Sequence, residues 1–225
     1  MTNEHLVMMK KVVAGLIGAS FLTAFSAGAV SVQEMGIGNN EIVSITSSTL
    51  GGPVSVYAGI INLQVDGVAT QGFCIDPYHW SVTGPQPYSM VPLTSAPKDP
   101  GGPMNSATAT QIEQLWAKYF PSAASSSTVA AGLQIAIWEL VTGPGNTGNT
   151  GHFSLNSAND YGASGMISWV DATPGAATAD LVGLTGPGQD YVIPSVPDGG
   201  MTLILLGLVS MGLVVTQRSL RLRAC

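Results

Sequence analysis

Two apolar segments at opposite ends confine any folded body to the middle of the chain. Near the start, Lys10 and Lys11 precede an uncharged apolar run from Val12 to Phe25, and Ala27-Gly28-Ala29 follows. A basic start, a short apolar core and a small-x-small ending describe a secretory signal peptide, here residues 1–29. The run is shorter than the ~20 residues that a membrane-spanning helix needs. At the far end, MTLILLGLVSMGLVVT (201–216) leads into Arg218, Arg221 and Arg223. That order predicts a single transmembrane helix over 201–217, with 218–225 as a basic cytoplasmic tail. The body, residues 30–195, would then face outward, exported and anchored in the cell envelope by its C-terminus.

The body is poor in cations. From Val30 to Pro197, Lys98 and Lys118 stand against 11 acidic residues, a net charge of −9. Charged residues make up 9% of the whole chain, where about 25% is usual. A surface with so few cations does not neutralise phosphates, so nucleic-acid binding is excluded as a function class. No G-x-S-x-G, phosphate loop, H-E-x-x-H or calcium loop occurs, so the chain does not read as an enzyme. His79 and His152 are the only body histidines. Neither has zinc-site spacing with a cysteine, and no cofactor or metal is expected.

The body reads as one α+β domain: an antiparallel, barrel-like sheet with an insert of two to three helices, of a size that supports one core. Glu41–Ser47, Val54–Val65 and Gly67–Ile75 are expected strands, with Asp66-Gly67 as a hairpin turn. Pro85–Gly102 reads as loop, with a strand near Tyr88–Leu93. Ala107–Phe120 places Ile112, Leu115, Trp116 and Tyr119 on one helix face, and Pro121 should stop it. Thr128 should cap a second helix running to Val141. That helix is apolar nearly all round, so it should be buried. Gly143–Gly151 reads as a loop, Tyr161–Asp171 as a short helix, and Leu181–Leu184 and Tyr191–Ile193 as closing strands.

Cys74 is the informative residue. The other cysteine, Cys225, lies beyond the arginine cluster on the cytoplasmic side, so Cys74 stands alone in an oxidising compartment. It can be a small buried hydrophobe. It can also be reactive. Gln134 sits in the midst of the apolar helix, where an unsatisfied carboxamide is costly. Attack of the Cys74 thiol on that carboxamide would expel ammonia and leave an internal thioester, a stored acyl group. Trp138, one turn beyond Gln134, would cover the bond or simply pack. Asp76 either hydrogen-bonds near the thioester or is a solvated strand end. His79 could serve as a proton shuttle near Cys74, but strand parity puts it on the opposite face, which favours a surface histidine.

Two segments carry a resemblance. Phe73-Cys74-Ile75-Asp76 and Leu133-Gln134-Ile135-Ala136-Ile137-Trp138 resemble the paired motifs of bacterial surface thioester domains, in the same order along the chain. Leu133 stands where threonine is common in that family. The resemblance implies a thioester between Cys74 and Gln134 with Phe73, Asp76 and Trp138 around it. It also implies an adhesin-like function: covalent attachment to an amine-bearing surface protein or a polyamine. Val196-Pro197-Asp198-Gly199-Gly200, followed by the apolar helix and the arginines, resembles the exosortase sorting tails of the VPDSG and PEP-CTERM types. That likeness implies an exosortase-type membrane protease as a processing partner. The alternative is a non-reactive structural protein of the surface or biofilm matrix, also sorted by exosortase, in which Cys74 and Gln134 merely pack.

Overall fold

The computed structural model describes residues 29–47, 49–97, 102–143 and 153–195. The expected signal segment up to residue 28, the motif Val196–Gly200, the expected helix 201–217 and the tail 218–225 lie outside the described residues, as do most of the Gly143–Gly151 segment and His152. Among the described residues, no helix is long and apolar enough to cross a membrane.

Seven strands build the sheet: β1 (Ala29–Ser47), β2 (Gly51–Val65), β3 (Val68–Cys74), β4 (Gln86–Pro92), β5 (Phe153–Leu155), β6 (Leu181–Thr185) and β7 (Tyr191–Pro194). Three helices interrupt it: α1 (Ser106–Ala123) and α2 (Ser127–Thr142) before β5, and α3 (Ala163–Ala172) after it. The architecture is α+β, and every strand pairing described is antiparallel. The strand order β2-β3-β7-β6-β4-β1-β5, with β1 also paired to β2, closes six strands into a ring and leaves β5 on the far end of β1. Closure removes the free edges that an open antiparallel sheet would present.

β1 extends the expected Glu41–Ser47 strand back to Ala29. Its middle, Glu34 to Asn40, is rich in Gly and Asn and does not alternate. Register shifts occur there, between Glu34 and Gly36 and between Ile37 and Asn40. These bulges bend β1, which pairs with β2 along its length, with β4 at its start and with β5 at its end. The bend brings Asn39 O so close to Gly59 that a Cβ there would lie 2.2 Å away, so glycine is required.

Three helix boundaries correct the sequence reading. α1 continues through Pro121 to Ala123. Proline removes one hydrogen bond near the end of the helix, and Ala124 N–H to Phe120 O closes the last turn. Ser126, rather than Thr128, caps α2, its hydroxyl accepting from Val129 N–H at 3.3 Å. α3 begins at Ala163, two residues past the expected Tyr161, because Tyr161 and Gly162 take positive φ. The three-residue β5 falls outside the elements expected from the sequence.

α2 is the centre of the molecule. Every residue from Ala130 to Thr142 is buried, as the all-round apolar pattern predicts. It packs on α1, α3, β1, β2 and β3. Its close fit to the segment before α3 depends on Gly132, where an added Cβ would sit 2.3 Å from Tyr161 O.

Candidate functional site

β3 carries Cys74 into the core at its last residue. Phe73 and Cys74 pair with Val192 and Tyr191 of β7, and Ile75 N–H donates to Asp190 O at 3.0 Å. On the other side, the ladder to β2 ends at the Ile61–Gly72 pair. The main chain of Cys74 therefore has no β2 partner. α2 supplies the substitute. Gln134 Oε1 accepts from Cys74 N–H at 3.0 Å, and Gln134 Nε2 donates to Cys74 O at 2.8 Å. A side-chain amide thus completes a sheet ladder inside the core. This is how so apolar a helix accommodates a glutamine that is 1% exposed.

The thiol is wrapped by N–H groups. Trp138 Nε1–H, one helical turn beyond Gln134, donates to Cys74 Sγ at 3.3 Å. Gln189 Nε2–H donates to it at 2.7 Å, and Asp76 N–H at 3.3 Å. The thiol in turn reaches Asp76 O at 3.2 Å. Burial pushes the Cys74 thiol up to about 12, and the Asp76 charge adds to this, while the Trp138 hydrogen bond pulls the other way. At neutral pH the sulfur is therefore a thiol, not a thiolate.

The geometry suits attack on a carboxamide. Cys74 N–H already donates to the Gln134 oxygen on which negative charge would develop, and a donor placed there lowers the barrier to a tetrahedral intermediate. The carboxamide is already oriented on the Cys74 main chain, so little further ordering is needed. Phe153 of β5 backs the Trp138 ring, with centroids 5.9 Å apart, and so holds the cover in place. Phe73 lies one residue along the strand and points to the other face. Its ring packs edge-on against Trp116 at 5.3 Å and Phe120 at 6.3 Å.

A cavity of about 200 Å³ opens above the sulfur. Cys74, Trp138 and Gln189 line its inner part, and the half-exposed Tyr57, His79 and Trp80 its mouth. His79 sits on this cavity because the strand ends at Cys74. The Pro77 segment turns, and strand parity no longer applies to residue 79. Asp76 is not simply a solvated strand end. Its main chain touches the sulfur, its Oδ1 accepts from Tyr78 N–H at 3.0 Å, and its Oδ2 meets His79 Nδ1 at 2.6 Å.

Gln189 and Asp190 escaped the sequence reading. Gln189 touches a sulfur 115 residues away from a Gly-Pro-Gly turn that carries no chemical signature. Asp190 is buried, and desolvation raises its carboxyl to about 6, with Asp76 adding to the rise and a hydrogen bond from Gly186 N–H opposing it. Among the described residues, no group of three His, Cys, Asp or Glu side chains could hold a metal ion.

No protein-family model matches the chain, and no curated protein matches it. Among solved structures, it is similar to the N-terminal thioester domain of a surface protein from Clostridium perfringens. The identity is 10% and the TM-score 0.42, over 69% of this chain and 99% of that chain.

Proposed function

We propose that this chain is an exported surface protein whose Cys74 and Gln134 form an internal thioester that captures amines covalently. Cys74 Sγ bonds to Gln134 Cδ, and the Cδ–Nε2 bond breaks. Nitrogen leaves as ammonia, carrying the thiol proton. An amine on a partner surface protein, or a polyamine, then attacks Cδ. An amide forms, the Cδ–Sγ bond breaks, and Cys74 returns to a thiol. The site acts once and is not regenerated, so the protein is an adhesin-like reagent and not an enzyme. The observation that carries this reading is the buried Gln134 carboxamide docked on the main chain of Cys74, its oxygen on an N–H donor.

Export and anchoring rest on the sequence: the leader 1–29, the apolar helix 201–217 and the basic tail that follows it. Processing by an exosortase-type protease rests on the motif Val196–Gly200. Deleting residues 201–225 should release the protein from the membrane fraction. If the deleted form stays membrane-bound, the tail is not the tether.

Intact-mass measurement of the purified body tests the chemistry. The thioester reading expects a deficit of one ammonia, abolished by Cys74→Ala and by Gln134→Ala. A wild-type body at full mass sinks it, and leaves a non-reactive surface or matrix protein in which the two residues pack. A second acyl donor has a specific observation in its favour, since Gln189 Nε2 lies nearest the sulfur at 2.7 Å. If the deficit survives Gln134→Ala and is lost in Gln189→Ala, the crosslink joins Cys74 to Gln189.

A further inference from the structure

We infer that His79, held by Asp76 at the mouth of the cavity, takes the proton from the amine that attacks the Cys74 thioester; the inference rests on the thioester reading. Three observations carry it. His79 and Cys74 line the same cavity, which places the imidazole on the open side of the sulfur. His79 Nδ1 meets Asp76 Oδ2 at 2.6 Å, and in the tautomer that donates this hydrogen bond Nε2 is the acceptor. Asp76 is in turn held by Tyr78 N–H at 3.0 Å, and its own N–H and C=O contact the sulfur, which ties the dyad to the reacting group. Asp76 is thus a positioning residue, and His79 the group that meets the nucleophile.

The chemistry of the site calls for such a group. When a neutral amine attacks Gln134 Cδ, its nitrogen becomes positively charged and must lose a proton before the amide is stable. The electron pair of the Cδ–Sγ bond departs with sulfur, into a site where burial strongly favours the thiol over the thiolate. One proton has to leave nitrogen and one has to reach sulfur. His79 Nε2 accepts the first, and the imidazolium returns it through the cavity to Sγ. Trp138 and Gln189 N–H stabilise the sulfur in the interval. The net change is thioester plus amine giving amide plus thiol. Other titratable groups surround the dyad. Glu34 and Tyr57 line the cavity, Glu34 is engaged by the Tyr191 hydroxyl at 3.4 Å, and Asp190 interacts with both Asp76 and His79.

His79 is well exposed, so His79→Ala is expected to fold as the wild type does. The test compares wild type and His79→Ala for the ammonia-loss mass, then for the rate of methylamine adduct formation at a fixed neutral pH. Both proteins should carry the mass deficit. His79→Ala should capture methylamine about a hundredfold more slowly, within the range of a lost general base, and added imidazole should restore much of the rate. Asp76→Asn should slow capture less, without imidazole rescue. Capture by His79→Ala within about twofold of wild type, or a slow rate that imidazole does not restore, overturns the inference and leaves the thioester reading standing. A mass deficit present in wild type but missing in His79→Ala also overturns it, because the histidine would then act in forming the bond. Wild type at full mass overturns both readings together.

Discussion

Replacing Gln134 by leucine separates its role as a ladder partner from its role in the crosslink, provided the change is made in a Cys74→Ala background. No thioester can form there, yet the main chain of residue 74 still needs partners. Leucine keeps much of the volume and removes both hydrogen bonds, the one at 3.0 Å to the N–H and the one at 2.8 Å from the C=O. Each buried main-chain group left unpaired costs about 1–3 kcal/mol, so the double variant should lose about 2–6 kcal/mol relative to Cys74→Ala. With a urea slope of about 2 kcal/mol per M, the unfolding midpoint should fall by about 1–3 M. A loss under about 1 kcal/mol would refute the claim that the carboxamide replaces β2 in the ladder. Comparing wild type with Cys74→Ala then isolates the crosslink. The two residues are 60 apart in sequence, and closing a loop of that length constrains the unfolded chain by about 4 kcal/mol. Loss of the Gln134 N–H donor with the ammonia leaves Cys74 C=O unpaired and offsets about 1–3 kcal/mol of this. Wild type bearing the mass deficit should therefore be the more stable by about 1–3 kcal/mol. Equal midpoints would show that the bond does not restrain unfolding.

Trp138→Phe keeps a ring over the sulfur but removes its N–H; amine capture should slow by about two- to tenfold, the worth of one hydrogen bond, and an unchanged capture rate would show that the indole only packs. Trp138→Ala opens the cover as well, so the ammonia-loss species should hydrolyse faster, as water addition followed by mass spectrometry would reveal; unchanged hydrolysis argues against shielding. Gly132→Ala improves helix propensity by up to ~1 kcal/mol yet drives a methyl into Tyr161 O, and should lower stability by about 1–3 kcal/mol; a raised melting temperature would contradict the close fit of α2. Asp190 is held as the acid by burial, from an ordinary value of 3.8 up to about 6. Its folded pKa is raised, so its contribution to stability is full below pH 3.8 and lost as pH rises through about 6. Asp190→Asn should therefore flatten the stability profile between about pH 4 and 6 and stabilise the protein at pH 7, by on the order of 1–2 kcal/mol after solvent screening; pH-dependent urea titrations that superimpose for the two proteins would refute this.

Local pattern carried much of the architecture. The all-round apolar run from Val129 to Val141 announced a buried helix, and the spacing of Ile112, Leu115 and Trp116 announced its amphipathic neighbour, because period and burial are properties of a short window. The same window made Gln134 conspicuous, since a buried amide must be satisfied by something. What satisfies it lies 60 residues away, and no local rule names it. Three features belong to the tertiary structure alone: the early end of the β2–β3 ladder, the Gly59 contact that accompanies the bend of β1, and the closure of β1 onto both β2 and β4. The first of them leaves the main chain of Cys74 open toward α2. Gln189 and Phe153 reach the site only through non-local pairings, one beside β7 and the other on the end of β1. His79 shows the limit from the other side. Alternation along a strand placed it away from Cys74, but alternation holds only while the strand lasts. β3 stops at Cys74, and the turn at Pro77 carries the imidazole round to the cavity.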